Sequence, residues 1–409
     1  MVDRTAADIV SMTASCSART YNRLPVVIER GEGVWLYTKE GRRLLDCFAM
    51  FAVVNFGHAN PRISRALYTQ AEKISVVAPS LHNETAAEFA WRLCRFTKAR
   101  RMHSAIIGTE AFEKSVKILR KRGYMALRKW GDRAKVTENS AQIIVCRGNF
   151  HGRTYASLSA STNPRYRQNF GPFVPGFVAI PFGDAEALER AITPQTVGFV
   201  LEPIQGEGGI HVPPSGYLRQ VRQICDSAKI ALVFDEIQSG MGRTGKNFAS
   251  DHEGVKPNLR LVGKALGGGA LPIAAVVGDE ELVGLIEPKD DGSTFAFYPL
   301  GCAVAIEAMN ILEEGEVTAN AARVGEYFMR HVRELSHPLI KEVRGLGLFI
   351  GIEFAEGVSS SRLQEMLLEE GMIWCMAGEH VLRFTPPLII TESETDMAVE
   401  GLKNVLARL

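Results

Sequence analysis

The sequence contains no cysteine pair with the spacing of a metal site or a redox motif. Its seven cysteines are scattered singly, at Cys16, Cys47, Cys94, Cys146, Cys225, Cys302 and Cys375. An odd, unpatterned set is typical of reduced thiols in a cytosolic protein. We therefore expect neither a disulfide framework nor a bound metal.

Long apolar runs and an excess of charge of one sign are also missing. The first twenty residues have no continuous apolar segment like that of a signal peptide, and no later run approaches the length of a membrane span. The formal net charge is +1, and no basic tract is interleaved with aromatic residues. These absences disfavour a nucleic-acid or membrane partner and predict a cytoplasmic enzyme.

Internal repeats and low-complexity segments are absent as well. The chain has 409 residues, of which 46% are hydrophobic and 23% charged, the composition of an ordinary soluble enzyme. This length exceeds what one ordinary core holds, so we expect two domains, or a large domain with a smaller partner.

Short β-branched runs alternate with helical segments from about residue 140 to 275. This pattern predicts crossover units and a mostly parallel sheet flanked by helices. The predicted strands are Gln142–Cys146, Phe177–Ile180, Val197–Leu201, Ile230–Phe234 and Ile273–Val277. Ligands of such sheets bind at the carboxyl ends of the strands. Glu202 and Asp235 directly follow strands, and Lys264 lies in a loop between two, so we expect the site there.

The pattern changes after Pro299, where helices and strands form an α+β block of about a hundred residues. The N-terminal strands around residues 24–48 lack crossover helices, and we expect them to join this block. The sequence therefore predicts an α/β fold. A large domain would span residues 51–300, and a smaller α+β domain would combine residues 1–50 with residues 301–409.

Lys264 and Asp235 are the strongest candidates for chemistry. Lys264 lies among apolar residues and glycines, so burial would lower its pKa and leave a neutral, nucleophilic amine; the alternative is an exposed surface lysine. Asp235 ends an apolar strand and could keep a pyridine nitrogen protonated; alternatively it caps a helix or binds a metal. Together they predict an aromatic aldehyde cofactor held by Lys264 as a Schiff base.

Other candidates surround this pair in the sequence. Gly108 and Thr109 begin a predicted helix, and Gly292–Thr294 form a small hydroxyl turn; both patterns are compatible with phosphate binding. Phe150 could stack on a ring or pack in the core, and Arg153 could hold a carboxylate.

Arg383 alternates with apolar residues in a predicted strand, where a buried guanidinium requires a partner. Glu207, in a glycine-rich turn, is a candidate for that partner. The alternative is an arginine on the wet face of an edge strand.

Several longer motifs occur together, in a fixed order. They are Phe150-His-Gly-Arg-Thr, Glu202-Pro-Ile-Gln-Gly-Glu-Gly-Gly, the stretch from Leu232 to Pro272, Gly292-Ser-Thr-Phe, Val343-Arg-Gly-Leu-Gly-Leu-Phe-Ile-Gly and Arg383-Phe-Thr-Pro-Pro-Leu. With them, nearly the whole chain resembles the class III aminotransferases, which are fold-type I pyridoxal-phosphate enzymes. This group includes ornithine, acetylornithine and 4-aminobutyrate aminotransferases.

The resemblance implies a role for each candidate that would hold the cofactor. Lys264 would form the Schiff base and move protons between substrate and cofactor. Asp235 would pair with the pyridine nitrogen, Gln238 with the phenolic oxygen, and Phe150 would stack on the ring. The phosphate would be bound by Gly108 and Thr109, and by Thr294 from the neighbouring subunit of an obligate homodimer.

The resemblance also implies how substrates bind. Arg383 would hold a substrate α-carboxylate, and Glu207 would mask it when a distal amine must enter. Arg153 would hold the carboxylate of an ω-amino substrate. The substrates would be an amino-acid donor and an oxo-acid acceptor such as 2-oxoglutarate.

Some residues depart from the family pattern. Ile107 replaces a hydroxyl residue before the phosphate glycine, and Phe112 replaces a small or amide residue. Tyr298 adds bulk at the dimer edge. Phe51 stands where ornithine aminotransferases have a substrate-contacting tyrosine, and His82 stands at another aromatic position. These departures predict a reshaped pocket for a specialised substrate rather than for ornithine itself.

The sequence thus predicts a transaminase that moves an amino group from an ornithine-like or ω-amino acid to an oxo acid. Two alternatives remain. The same lysine chemistry serves racemases, epimerases and eliminases, and the altered phosphate loop is compatible with a degenerate, non-catalytic partner subunit.

Overall fold

The structure, a computed structural model, describes residues 4–129, 136 and 139–409. Its strands are β1 (Ile28–Glu32), β2 (Trp35–Thr38), β3 (Arg43–Asp46), β4 (Arg101–Ala105), β5 (Gln142–Cys146), β6 (Phe177–Ile180), β7 (Thr196–Leu201), β8 (Ala231–Asp235), β9 (Leu259–Val262), β10 (Ala274–Gly278), β11 (Ile340–Leu346), β12 (Phe349–Phe354), β13 (Met372–Ile373), β14 (Cys375–Ala377) and β15 (Val381–Phe384).

The helices are α1 (Ala6–Cys16), α2 (Ala49–Ala52), α3 (Pro61–Lys73), α4 (Glu84–Phe96), α5 (Gly108–Lys129), α6 (Tyr155–Ala160), α7 (Pro164–Arg167), α8 (Ala185–Ala191), α9 (Tyr217–Ala228), α10 (Glu280–Val283), α11 (Pro299–Glu313), α12 (Glu316–Glu334), α13 (Ser360–Glu369) and α14 (Glu392–Leu406). None of the helices in these described ranges combines the length and apolar character needed to cross a membrane.

The large sheet has seven strands in the order β4-β10-β9-β8-β7-β5-β6. Strands β9, β8, β7, β5 and β6 are parallel, and β10 is antiparallel to both of its neighbours. The predicted mostly parallel sheet is therefore confirmed. Strands β4 and β9 were not predicted, because Arg101, His103 and Arg260 interrupt their apolar pattern.

The side chains of the large sheet alternate between two buried layers. Ile143 and Val145 of β5 pack in the cluster that contains α5, whereas Ile144 and Cys146 pack in the cluster that contains α8 and α9. Both faces of the sheet are covered, so its inner strands β5, β7, β8 and β10 are buried at nearly every position. This packing leaves the strand ends as the place for polar side chains.

Two four-stranded sheets complete the fold. Strands β11, β12, β15 and β14 form an antiparallel sheet in that order, and β13 pairs in parallel with β3 next to β2 and β1. The N-terminal strands thus join a strand from the C-terminal block, as expected. Domain limits at residues 50 and 300 stay a prediction, and one buried apolar cluster includes Leu45, Val262 and Leu382, one from each of the three sheets.

Candidate active site

A cavity of about 430 Å³ opens at the carboxyl ends of β8 and β9, beside the start of α5. Six predicted site residues line it: Gly108, Thr109, Phe150, Asp235, Gln238 and Lys264. Residues far apart in the chain meet here because parallel strands end at the same edge of the sheet.

Lys264 begins a short 3₁₀ turn, Lys264–Gly267, directly after β9. Its φ of +47° lies in the left-handed region, which a residue with a Cβ adopts at some cost in free energy. Burial lowers the pKa of its amine to about 8, although Glu207 opposes this shift. A large fraction of the amine is therefore neutral near pH 8, as a nucleophile requires.

Asp235, the last residue of β8, is buried and receives two hydrogen-bonding contacts. Its Oδ2 lies 2.7 Å from Nδ1 of His151, and its Oδ1 accepts from the backbone N–H of Ile237. The imidazole of His151 stacks on Phe112, with ring centroids 4.6 Å apart, and its buried Nε2 has no hydrogen-bond partner among the described residues. Phe112, which departs from the family pattern, thus packs against the imidazole of this pair.

His151 was not predicted as a site residue. It follows the proposed stacking residue Phe150 directly in the sequence, and that adjacency was the available signal. Nothing in the local pattern indicates that its ring reaches across to a strand 84 residues away.

The first turn of α5 faces the cavity with Gly108 and Thr109. The hydroxyl of Thr109 lies 2.8 Å from the hydroxyls of both Thr154 and Ser157. Gly152 has a φ of +126°, and a Cβ there would lie 2.2 Å from Thr109 Oγ1. The cluster therefore requires glycine at this position. The helix start supplies N–H groups that have no intrahelical partner.

Glu202 is a second buried carboxylate in the cavity wall that was not predicted as a site residue. It accepts hydrogen bonds from the backbone N–H groups of Phe150 and Gly206, at 3.0 and 3.1 Å. Burial raises its pKa to about 7, partly countered by His151. Glu202 therefore ties the loop that carries Phe150 to the loop that carries Glu207.

Gln238 connects Lys264 to the predicted ion pair of Arg383 and Glu207. With its amide oxygen turned toward the two cations, that oxygen lies 2.9 Å from Lys264 Nζ and 3.0 Å from Arg383 Nη1. A Cβ on Gly206 would lie 1.7 Å from the Gln238 amide, so only glycine fits beside it.

Arg383, on β15, is fully buried and donates to Glu207 at 2.5 Å. Burial opposes the charged form of Arg383, but Glu207 outweighs it and raises the pKa above its ordinary value. Burial would raise the pKa of Glu207, yet Arg383 and Lys264 hold it below its usual range. The pair is therefore charged, and the predicted partnership of Glu207 and Arg383 is present.

Phe51 lies near this pair, with its ring centroid 5.5 Å from the guanidinium carbon of Arg383. It belongs to α2, a single turn in which four consecutive non-glycine residues have φ between 44° and 64°. Such a left-handed turn is unfavourable for L-residues, so the surrounding fold must hold it in place.

Arg153 lies on the other side of Phe150, outside the cavity lining. Its guanidinium carbon is 3.6 Å from the ring centroid of Tyr166 and 5.5 Å from that of Phe150. Arg153 is exposed, and within the described part of the chain it makes no ion pair.

Three further residues singled out by the sequence lie away from the cavity of this single chain. His82 and Thr294 are exposed. Tyr298 is buried behind the cavity wall, where its hydroxyl donates to the carbonyl of Pro272 at 2.6 Å. The effect of its bulk at a dimer edge stays a prediction.

Comparisons with known proteins agree with this arrangement. The sequence model of the family described as aminotransferase class-III matches residues 16–406. The chain is a class III aminotransferase. An ornithine aminotransferase of Brevibacillus brevis is 44% identical over 97% of this chain and 98% of its own length, and one from Bacillus cereus is 41% identical over 98% and 99%.

Solved structures of the same class match over the whole fold. The ornithine aminotransferase of Toxoplasma gondii superposes with a TM-score of 0.95 and 34% identity, covering 100% of this chain and 96% of that one. The acetylornithine aminotransferase of Elizabethkingia anophelis gives 0.88 and 30%, with full coverage of both chains. The predicted α/β fold and the predicted transaminase class are confirmed.

Enzymes of this class use pyridoxal 5′-phosphate, and the described residues fit that cofactor. An amine with a lowered pKa, a buried carboxylate backed by an imidazole, and a helix start rich in hydroxyls line one cavity. These are the groups that an aldehyde, a pyridine nitrogen and a phosphate require.

Proposed function

We propose that this class III aminotransferase takes the distal amino group of an ornithine-like amino acid and passes it to an oxo acid such as 2-oxoglutarate. The observation that carries this proposal is the contrast between two arginines beside the cavity. Arg383 is neutralised by Glu207 at 2.5 Å, and Arg153 has no carboxylate partner in the described chain.

The contrast determines which end of the donor enters. A donor with two amines and one carboxylate finds Arg383 occupied, so its carboxylate goes to Arg153 and its distal amine points to Lys264. An oxo acid with two carboxylates needs a second cationic anchor. Its extra carboxylate competes with Glu207 for Arg383, because both are charge-assisted partners of the same guanidinium.

The cofactor residues act in support of this exchange. When bound, pyridoxal phosphate supplies the electron sink that lets an amino group move between two carbon skeletons. Asp235, held by His151, would keep the pyridine nitrogen of the cofactor protonated, and Phe150 would cover one face of the site. Lys264 Nζ would take the proton from the donor carbon that bears the amine and pass a proton to the cofactor. In the second half-reaction the same amine would move a proton in reverse, from the cofactor to the acceptor carbon that receives the amino group.

The working form that we propose is a homodimer in the cytoplasm. Thr294, Phe295 and Ile107 are all exposed in the single chain. Ile107 stands beside the phosphate position, where the family has a hydroxyl residue. A hydroxyl from Thr294 of a second copy would complete the phosphate contacts that Ile107 cannot make.

The test is an amino-donor panel on the holoenzyme, read by loss of the spectrum of the bound cofactor. We expect ornithine-like donors to react at their distal amine, and the spectrum to recover on addition of 2-oxoglutarate. Formation of product without any oxo acid would instead favour racemisation or elimination. A protein that takes up no cofactor would favour the non-catalytic subunit. The same panel is run on the Lys264→Ala variant. Its matched control is Lys256→Ala, which changes an exposed lysine.

A further inference from the structure

The helical turn α7 stands next to Arg153 and has no role in the function proposed so far. Its sequence, Pro164-Arg-Tyr-Arg167, places a tyrosine between two arginines. The two arginines point to different anchors, and the tyrosine packs on Arg153. We propose that Tyr166 is a positioning residue that holds Arg153 for the donor carboxylate.

The contact with Arg153 carries the first step of the argument. The guanidinium carbon lies 3.6 Å from the Tyr166 ring centroid, the distance of a cation–π stack. Phe150 lies 5.5 Å from the same carbon and meets Tyr166 edge to face at 6.0 Å. Arg153 is therefore held by aromatic faces and keeps its N–H edge free for an anion.

The second step is that, within the described part of the chain, Arg153 is held only by these two rings, of which Tyr166 is the nearer. Arg153 makes neither an ion pair nor a hydrogen bond within residues 4–129, 136 and 139–409. A long exposed side chain that lacks a partner loses rotamer entropy when it binds a ligand. Stacking on Tyr166 restricts the side chain in advance and does not use any of the donors that a carboxylate needs.

The third step is that α7 is itself fixed. Arg167 donates to the carbonyls of Ser159 and Ser161 at 3.0 and 2.8 Å, and it stacks on Phe173 at 4.2 Å. Asn163 caps the turn by accepting from the N–H of Arg165. A ring on such an anchored turn can set the position of Arg153.

This inference rests on the proposed function, because it assigns the donor carboxylate to Arg153. The experiment compares Tyr166→Leu with Tyr166→Phe in the holoenzyme, with L-ornithine as the donor probe. Arg165→Ala is the control, since Arg165 is exposed on the same turn and pairs with Glu379. The same substitutions are also made in the Arg153→Ala background.

We expect Tyr166→Leu to raise KM for ornithine about 2- to 5-fold, the range of a partly exposed cation–π contact. KM for 2-oxoglutarate and kcat should stay unchanged, and Tyr166→Phe should behave as the wild type because it keeps the ring. The effect should disappear in the Arg153→Ala background. Two results would overturn the inference: an equal rise in KM in the Arg153→Ala background, or no rise in KM when Tyr166→Leu is made in the wild type.

A second readout separates this inference from the proposed function. Phenylglyoxal labelling of Arg153, followed by peptide mass spectrometry, needs no turnover. Tyr166→Leu should speed the labelling and Tyr166→Phe should not; equal rates in both variants would overturn the inference. A cofactor-loaded wild type that converts no donor would instead contradict the proposed function alone.

Discussion

Arg383 is buried on a strand and paired with Glu207, whereas Arg153 is exposed on a loop and packs between two aromatic rings. A buried guanidinium without a partner would carry a large desolvation cost, so the fold supplies a carboxylate. An exposed guanidinium stays hydrated and needs only its direction fixed. Burial thus decides which arginine is paired with a carboxylate, and in the function that we propose this pairing selects which end of a substrate each arginine accepts.

The largest expected effect provides the reference for this comparison. Lys264→Ala should lower turnover about 10⁴-fold in both half-reactions, because it removes the nucleophile and the proton carrier together. Single-turnover kinetics of each half-reaction measure it. A variant that loses only one half-reaction would show that Lys264 does not serve both.

Arg383→Ala should separate the two half-reactions. We expect a loss of about 100- to 1000-fold in kcat/KM for 2-oxoglutarate, since a buried charge-assisted anchor is removed and Glu207 is left unpaired. The donor half-reaction should change much less. Arg362→Ala, on an exposed arginine of α13, is the control. Equal losses of kcat/KM in the donor and acceptor half-reactions would contradict the different roles proposed for Arg383 and Arg153.

Arg153→Ala should impair the donor half-reaction more than the acceptor half-reaction, and the loss should be smaller than that of Arg383→Ala. Because Arg153 is exposed, we expect about a 10- to 100-fold rise in KM for the donor. The KM for the acceptor should rise less. Steady-state kinetics with both substrates varied measure this, and a loss confined to the acceptor would exchange the roles of the two arginines.

The pH dependence of cofactor uptake should follow the pKa of Lys264, which Arg383 influences and Arg153 does not. Below its pKa of about 8, the neutral fraction of the amine falls about tenfold per pH unit. Cofactor uptake by the apoprotein should therefore rise with pH up to about 8 and then level off. Arg153→Ala should leave that midpoint in place. A rate that keeps rising about tenfold per pH unit up to pH 9 and beyond would contradict the lowered pKa.

Glu207→Gln should produce the smallest effect. The substitution removes the negative charge that pairs with Arg383 but keeps the shape of the side chain, so Arg383 becomes available in both half-reactions. We expect about a 3- to 5-fold gain in transfer from the α-amine of a diamino acid, and a downward shift of the Lys264 midpoint because Glu207 raises that pKa. Product analysis by mass spectrometry and the pH profile measure these changes. Glu365→Gln, on an exposed carboxylate, is the control.

Some of the site could be predicted because its residues mark strand ends. Asp235 ends an apolar strand of a parallel sheet, and Lys264 lies in the loop between two predicted strands; such strands present their carboxyl ends at one edge. The strands Gln142–Cys146, Phe177–Ile180 and Val381–Phe384 were predicted with the bounds that they have. Gln142–Cys146 and Val381–Phe384 lie inside their sheets and are almost entirely buried, whereas Phe177–Ile180 is an edge strand with a continuous apolar run.

Other parts depended on contacts that no local pattern contains. His151 reaches Asp235, Glu202 ties two loops, and Tyr166 packs on Arg153. Each contact joins residues from separate elements, and its geometry follows from how helices and loops pack on the sheet.

The sequence by itself determined most of the order of elements, the candidates Lys264 and Asp235, and the class of enzyme, because these depend on periodicity and on motifs along the chain. Only the tertiary structure decided which arginine is masked and which is free. That difference depends on burial, and burial is set by the packing of distant strands. The same chemical group on Arg153 and Arg383 therefore has two different environments in one fold.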